Sequence, residues 1–310
     1  MGHPEDSAGA LAADPRVAAA TGDSDNSYTV GISTVFLATL AWSFSGVFTR
    51  LLTTDIWTAI AWRSFFGGLF LVIPYVLTNG RGSLKMLGAI GRPGILFILC
   101  QVICQACTVG GLYFTSVANV TVIYATSPFL AAGLAWWLLR EQIKPRTIIA
   151  GLVSLAGVGV IVAGSIGGGH LIGDLMAIGM TVSFAFIIVI PRARKELPLL
   201  PITVVSAFAT MLIFAPFSAP LSLDLRNWSV LAGFGLTNFA IALFLFVYGA
   251  RRIASAEAAL IGTLEIAFAP LWVWLLFAER PAVATFIGGA IVFAVVVWHT
   301  ARDLRETRRR

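Results

Sequence analysis

Ten apolar stretches follow one another along this chain, with short polar breaks between most of them. A helix needs about 20 apolar residues to cross a ~30 Å hydrocarbon layer. The stretches run approximately over residues 31–51, 57–77, 94–113, 117–139, 147–165, 171–191, 202–219, 228–249, 255–278 and 283–300. Breakers separate them at Asn79-Gly80 with Gly82, Lys144-Pro145, Gly167-Gly168-Gly169, Pro198 to Pro201, and Arg280-Pro281. The third and fourth stretches have almost nothing between them. The pattern predicts an all-α protein with ten membrane-crossing helices, numbered here as spans 1 to 10.

Composition narrows the class. Of 310 residues, 58% are hydrophobic and 12% charged, with mean hydropathy +0.89. A typical soluble domain is about 25% charged. So few charges cannot cover a soluble protein of this size. A cytosolic enzyme, a secreted disulfide scaffold, a disordered chain and a nucleic-acid binder are excluded, and an integral, multi-pass membrane protein remains.

The net charge of +6 then becomes a question of which loops hold it. With the N-terminus inside, the inner loops hold Arg81, Lys85, Arg92, Arg140, Lys144, Arg146, Arg192, Arg194, Lys195, Arg251 and Arg252. The tails add Arg16, Arg302, Arg305, Arg308, Arg309 and Arg310, which makes 17 of the 21 Lys and Arg. Only Arg50, Arg226 and Arg280 fall outside, and Arg63 lies within a span. This is the positive-inside distribution, and one span more or fewer would scramble it. Both ends are therefore expected in the cytoplasm. Residues 1–28 carry Glu5, Asp6, Asp14, Asp23 and Asp25, the reverse of a signal peptide. They are expected as a disordered cytoplasmic tail. Residues 302–310 form a basic tail suited to orienting the chain and meeting lipid headgroups.

An internal repeat organises the spans. Shifted by 138 residues, 111–160 lies on 249–298 without a gap. Identities include Gly111/Gly249, Trp136/Trp274, Leu138/Leu276, Glu141/Glu279, Thr147/Thr285 and Gly151/Gly289. A weaker match pairs Ser43-Phe44 with Ser183-Phe184. The chain reads as one five-span unit, duplicated, over residues 29–166 and 167–301. Five is odd, so the second copy enters the membrane the other way up. The expected architecture is ten transmembrane helices in two inverted five-helix repeats, a hallmark of secondary transporters with a midplane site between the repeats.

Few polar groups enter the spans, and an ionisable one at the bilayer centre costs ~2.5–3.5 kcal/mol on insertion scales. Glu265 lies mid-span 9, roughly 12–15 Å from either end by helical rise. It is a candidate for proton coupling or for recognising a substrate ammonium; the alternative is a neutral acid hydrogen-bonded between helices. Arg63, ~9 Å from the outer end of span 2, is either a fixed charge for a carboxylate or a structural anchor that snorkels outward. At similar depth lie Trp42 in span 1, Gln101 and Gln105 on one face of span 3, Ser127 with Tyr124 in span 4, and Asn238 in span 8. Packing bonds between helices explain single groups of this kind, at ~0.6 kcal/mol each. Several at one depth, from both repeats, point to a central cavity. Trp42, Gln101, Gln105, Tyr124, Ser127, Asn238 and Glu265 are its substrate-binding candidates.

Pro128 and Pro270 each remove a backbone hydrogen bond and are expected kinks where a gate bends. Glu141 and Glu279 close spans 4 and 9 as helix-end or gate groups. Cys100, Cys104 and Cys107 share a helix face, but no His or second Cys pair accompanies them, so they read as packing residues. No metal and no cofactor is expected. There is no phosphate-binding Gly-x-x-x-x-Gly-Lys-Ser/Thr loop. His3, His170 and His299 are isolated, so no catalytic set forms around them. No selectivity filter or charged ring suggests a channel.

Four stretches carry a resemblance. They are Ala41-Trp42-Ser43-Phe44-Ser45-Gly46-Val47-Phe48; Arg63 with Ser64-Phe65-Phe66; Thr115-Ser116-Val117-Ala118-Asn119 leading to Ser127-Pro128-Phe129 and Leu138-Leu139-Arg140-Glu141; and Ala256 to Leu264-Glu265, ending in Ala278-Glu279-Arg280. In this order and at these spacings the chain resembles the drug/metabolite transporter superfamily, in its ten-span EamA-type branch. One departure is the residue after Leu264-Glu265, where the family pattern has Pro and this chain has Ile266, with Pro270 further on.

The resemblance implies a secondary-active transporter and no enzyme. Its cargo would be small organic metabolites, amino acids or related amphipathic compounds, and export is favoured. It would work by alternating access, with spans 3, 4, 8 and 9 lining the site; protons enter as a candidate coupling ion through Glu265 and not through the resemblance. The expected setting is the bacterial inner (plasma) membrane, as a monomer or homodimer among lipid, with no nucleic acid. The competing readings are an uncoupled facilitative carrier or exchanger and, from another class, an intramembrane enzyme or a structural membrane protein.

Overall fold

The computed structural model describes residues 15–79, 90–166, 168–194, 196–253 and 255–307. Among them no strand occurs, and ten helices are long and apolar enough to cross a membrane. These are span 1 (Ser27–Leu51), span 2 (Ile56–Ile73), span 3 (Gly91–Phe114), span 4 (Val117–Leu139), span 5 (Pro145–Ser165), span 6 (Leu171–Ala193), span 7 (Leu199–Phe217), span 8 (Leu225–Ala250), span 9 (Glu257–Phe277) and span 10 (Val283–Arg302). Helices are the expected answer, because a backbone in lipid has to satisfy its own hydrogen bonds. Even the division between spans 3 and 4 holds, with only Thr115 and Ser116 between the two helices. Ser116 makes so short a turn possible by capping span 4: its hydroxyl accepts from the Asn119 backbone N–H at 3.1 Å.

The N-terminal end differs from the expected disordered tail. Span 1 continues a helix that begins at Pro15, so residues 15–28 are helical, and the alanine-rich run after Arg16 favours that. Residues 1–14 of the expected tail lie outside the described residues. The last helix runs on to Thr307, and 308–310 lie outside the described residues as well.

With ten spans, the two chain ends lie on one face of the bundle, called here the terminal face; the other is the far face. Span 3 packs on span 6, and span 8 on span 1; span 2 packs on span 7, and span 5 on span 10. Exchanging the two repeats maps this pairing onto itself, as an inverted duplication requires. The core sits between the repeats, around Leu112, Val117, Ile123, Ile161, Val273 and Val292. Spans 5 and 10 cross at Gly157 and Gly288, where a Cβ on Gly157 would stand 2.9 Å from the Gly288 carbonyl. Only glycine permits so close a crossing.

Spans 4 and 9 are each broken, and at equivalent places. Span 4 divides into Val117–Tyr124 and Ser127–Leu139, and span 9 into Ser255–Gly262 and Glu265–Phe277. Under the 138-residue shift the gap at 125–126 falls on the gap at 263–264. The local hydrogen bonds repeat too: the N–H of Thr126 donates to Ile123 O at 3.2 Å, and that of Leu264 to Ile261 O at 3.0 Å. A threonine hydroxyl helps open each gap by bonding back to a carbonyl three residues earlier, Thr126 to Ile123 at 2.7 Å and Thr263 to Leu260 at 2.6 Å. Both half-helices then end on a left-handed residue, Arg140 at φ 57° and Ala278 at φ 56°, the two non-glycine residues with positive φ among the described residues.

This corrects one expected hinge. Pro128 does stand at the start of the second half of span 4. Pro270, however, is inside the second half-helix of span 9, and the break precedes Glu265. Thr263, rather than a proline, marks the interruption there. Span 8 carries a further irregularity, a π turn over Leu236–Ile241 between two α-helical segments.

Candidate functional site

The two breaks set the site's depth. Ser127 and Glu265 are repeat equivalents, and each opens a second half-helix near mid-membrane. Ser127 is buried, whereas Glu265 is only half-buried. A Cβ added at Gly262, three residues before Glu265, would meet nothing within 4 Å. The Tyr124 ring meets Phe184 edge-on at 5.1 Å, which fixes it against span 6.

Trp42 and Asn238 meet directly. The Trp42 indole N–H donates to the Asn238 carbonyl at 3.0 Å. Asn238 lies within the π turn, an irregularity frequent at functional sites. The Asn238 side-chain nitrogen is sealed from solvent without an acceptor.

Arg63 is 4% exposed. Its guanidinium lies over the rings of Phe234 and Phe239 of span 8, at 4.7 and 5.2 Å from their centroids. No carboxylate pairs with it among the described residues. Next to it, the Ser64 hydroxyl donates to the Gln105 side-chain oxygen at 3.1 Å, and the Gln105 side-chain nitrogen has no acceptor. Gln101, one turn away on span 3, is half-buried. The structure thus joins Gln105 to Ser64, the sequence neighbour of Arg63, and Trp42 to Asn238 across spans 1 and 8.

The glutamates that end spans 4 and 9 differ sharply. On the far face, Glu279 accepts from Arg50 at 2.8 Å and from the Val117 backbone N–H at 3.0 Å. Arg50 also donates to the carbonyls of Leu112 and Thr115. This one pair pins the ends of spans 1, 3, 4 and 9 together. On the terminal face, Glu141 stands 3.7 Å from Arg192, and both side chains are about half exposed, at 49% and 55%. The half-helices follow the same asymmetry. Val117 to Ile123 are all buried, whereas their equivalents Glu257 and Ala259 to Ile261 are not. The second half of span 9 packs on the first half of span 4, and the equivalent pairing of the second half of span 4 with the first half of span 9 has no comparable packing.

Several residues of this site are not legible from depth and polarity alone. Trp272 donates to the Ser43 hydroxyl at 2.9 Å and stacks on Phe44 at 5.1 Å. Its spacing of seven from Glu265, two helical turns, was the available signal. Asp174 is fully buried on the far face, accepting from Thr115 at 2.7 Å and Asn119 at 2.9 Å. Thr285 of span 10 closes the network onto Asn119 at 2.6 Å.

Cys100 and Cys104 are buried in apolar clusters, and among the described residues no three His, Cys, Asp or Glu groups are placed to hold a metal. A cavity of about 440 Å³ lies away from these groups, between the second half of span 4 and spans 5 and 6. Its walls include Phe129, Trp137 and Leu152, and the last two are 68% and 63% exposed. That makes it an apolar groove on the lipid-facing side of the bundle.

Comparison with known proteins follows this architecture. A model of the EamA-like transporter family matches the chain twice, over residues 29–163 and 171–300. An uncharacterised transporter of Clostridium kluyveri is 24% identical over 249 residues, which cover 75% of this chain and 79% of that one. A solved crystal structure aligns with TM-score 0.60 and 20% identity over 90% of this chain and 98% of the other; at that identity the likeness concerns the fold alone. Two head-to-tail matches to one family model, one for each five-helix repeat, make this chain a member of the EamA-like transporter family within the drug/metabolite transporter superfamily, and so a multi-pass membrane transporter rather than an enzyme.

Proposed function

We propose that this transporter is a secondary carrier that moves a small organic metabolite by alternating access, with the cargo bound near mid-membrane between the repeats. The observation that carries the reading is the inequality of equivalent ends. The repeats share their breaks, caps and terminal glutamates, yet the far face is pinned by Arg50 and Glu279 at 2.8 Å while Arg192 and Glu141 stand 3.7 Å apart. Two related halves held in different closures are what a carrier caught in one of its two states presents. The basic residues favour the terminal face as cytoplasmic, which makes this state closed to the outside. The bacterial inner membrane is the setting we favour. Amino acids or related amphipathic compounds are the cargo we favour, with export as the direction.

Glu265 serves as the coupling group, because among the described residues it is the one carboxyl at a break in mid-membrane. Tyr124, Ser127, Trp42, Gln101, Gln105 and Asn238 complete the cargo site. The test is flux in proteoliposomes across a panel of amino acids and related amphipathic compounds, with and without a proton gradient. At least one cargo is expected to move, and faster with the gradient. Glu265→Gln is expected to lose the gradient-driven part, a decrease on the order of 5- to 150-fold for an ordinary coupling free energy. Gradient-driven flux that survives the substitution removes Glu265 from coupling. Flux that ignores the gradient in the unmodified protein favours an uncoupled carrier. No flux for any member of the panel counts against transport of this class of cargo.

A further inference from the structure

We propose that Arg63, with Gln105 and Asn238 of the adjoining spans 3 and 8, is the subsite that takes a carboxylate group of the cargo; the proposal rests on the carrier reading above. Among the described residues, Arg63 is the one basic side chain set inside a span and away from its ends. Taking an unpaired cation out of water costs several kcal/mol, and cation–π contacts return only ~2 kcal/mol when desolvated. The two phenylalanine rings therefore hold the guanidinium in place without neutralising it. Its Nε is sealed from solvent and has no acceptor, while its Nη amines keep some access.

Two amides on the spans that pack against span 2 are left in the same condition. Gln105 is 5% exposed; its oxygen is taken by Ser64, and its Nε2 has no acceptor. Asn238 precedes Phe239, whose ring lies under Arg63; its carbonyl is taken by Trp42, and its Nδ2 has no acceptor. Every orphaned atom in this group is a donor. Buried polar groups in native proteins are almost always paired, so the missing partner has to bring acceptors and one negative charge. The carboxylate of Glu279 is already engaged by Arg50. A planar guanidinium matches a planar carboxylate in two parallel hydrogen bonds, and a single cation balances a single charge. A carboxylate fits these terms better than a doubly charged phosphate.

The test uses the full chain in lipid nanodiscs and matched probes. Phenylalanine and phenylalaninamide, leucine and leucinamide, and 3-phenylpropionate and 3-phenylpropionamide are compared by thermal stabilisation. The third pair separates the carboxylate from any contribution of the amine. Acids are expected to raise the melting temperature, with apparent affinity at least about tenfold above their amides. Arg63→Gln is expected to abolish the difference and Arg63→Lys to restore part of it. Should these variants fail to fold, Gln105→Leu keeps the side-chain volume and removes one orphaned donor, and it is expected to narrow the acid-over-amide preference several-fold. The acid–amide comparison on the unmodified protein decides even without variants. Equal stabilisation by acid and amide, or no acid-selective stabilisation by any probe, overturns the subsite. The carrier reading fails separately. Acid-selective binding without flux rejects the carrier and keeps the subsite, and flux indifferent to the acid rejects the subsite and keeps the carrier.

Discussion

Asp55 stands immediately before span 2, and its carboxylate accepts the Thr58 backbone N–H at 2.9 Å and the Thr58 hydroxyl at 2.6 Å. The same hydroxyl accepts from the Ala219 backbone N–H at 2.8 Å, so one acid ties the start of span 2 to the connection after span 7. Partial burial raises the pKa of Asp55, but the hydrogen bonds from Thr58 outweigh it and hold the carboxyl below its ordinary value. The stabilisation is therefore complete at neutral pH and is lost as pH falls below about 4. Asp55→Ala should cost about 1 kcal/mol, as lost helix caps do. Melting curves at pH 7 and pH 3 check this: the gap between variant and parent should be clear at pH 7 and should shrink at pH 3. At the same scale, Arg63 was legible as an anomaly because a basic residue inside an apolar run is visible in any sequence. Its rings were not, because Phe234 and Phe239 lie more than 170 residues away and only the packing of span 8 on span 2 brings them under the guanidinium.

Among the elements, the two left-handed caps invite a direct measurement. Ala278 adopts φ 56° where glycine is the usual occupant. A left-handed conformation costs a residue with a Cβ roughly 1–2 kcal/mol, and glycine gives back about 0.4–1 kcal/mol through its freer unfolded chain. Ala278→Gly is thus expected to stabilise the protein by up to about 1 kcal/mol, read as a higher melting temperature; a fall would show that the alanine methyl makes a contact worth more than the strain. The spans themselves were legible almost throughout, since length and hydropathy decide which segments can cross a bilayer. The interruption in span 9 was not. Pro270 drew attention as a helix breaker, whereas the work is done by Thr263, whose hydroxyl takes the Leu260 carbonyl. A threonine in an apolar run looks like any other tolerated residue until its rotamer is known. The π turn of span 8 left no mark in the sequence, because nothing in Leu236–Ile241 distinguishes wider winding from an ordinary helix.

At the level of the molecule, the proposed carrier cycle depends on exchanging one closed face for the other. The Arg50–Glu279 pair is partly buried, at 24% and 23% exposure, and shares its hydrogen bonds with three backbone groups. Hydrogen bonds to charged groups contribute about 1.5–3 kcal/mol, enough to shift a two-state population by roughly tenfold or more. Glu279→Gln should therefore open the far face more often. With a cysteine introduced in place of Ala118, which is 5% exposed in the far-face half of span 4, an impermeant thiol reagent should react faster in the Gln variant than in its parent. An unchanged rate would remove the pair as a latch. Glu141→Gln should leave the same rate nearly unaltered, because an exposed pair at 3.7 Å holds little.

The matched breaks at 125–126 and 263–264 carry one more consequence. Since the two halves are versions of one unit, each is a template for the other. Threading residues 29–163 along the path now taken by 171–300, and the reverse, writes out a second conformation with no new fold and no new hinge. In it Arg192 and Glu141 would meet as tightly as Arg50 and Glu279 do at 2.8 Å, and the latter would part. A duplicated, inverted chain seen in one state of the proposed cycle thus implies the other.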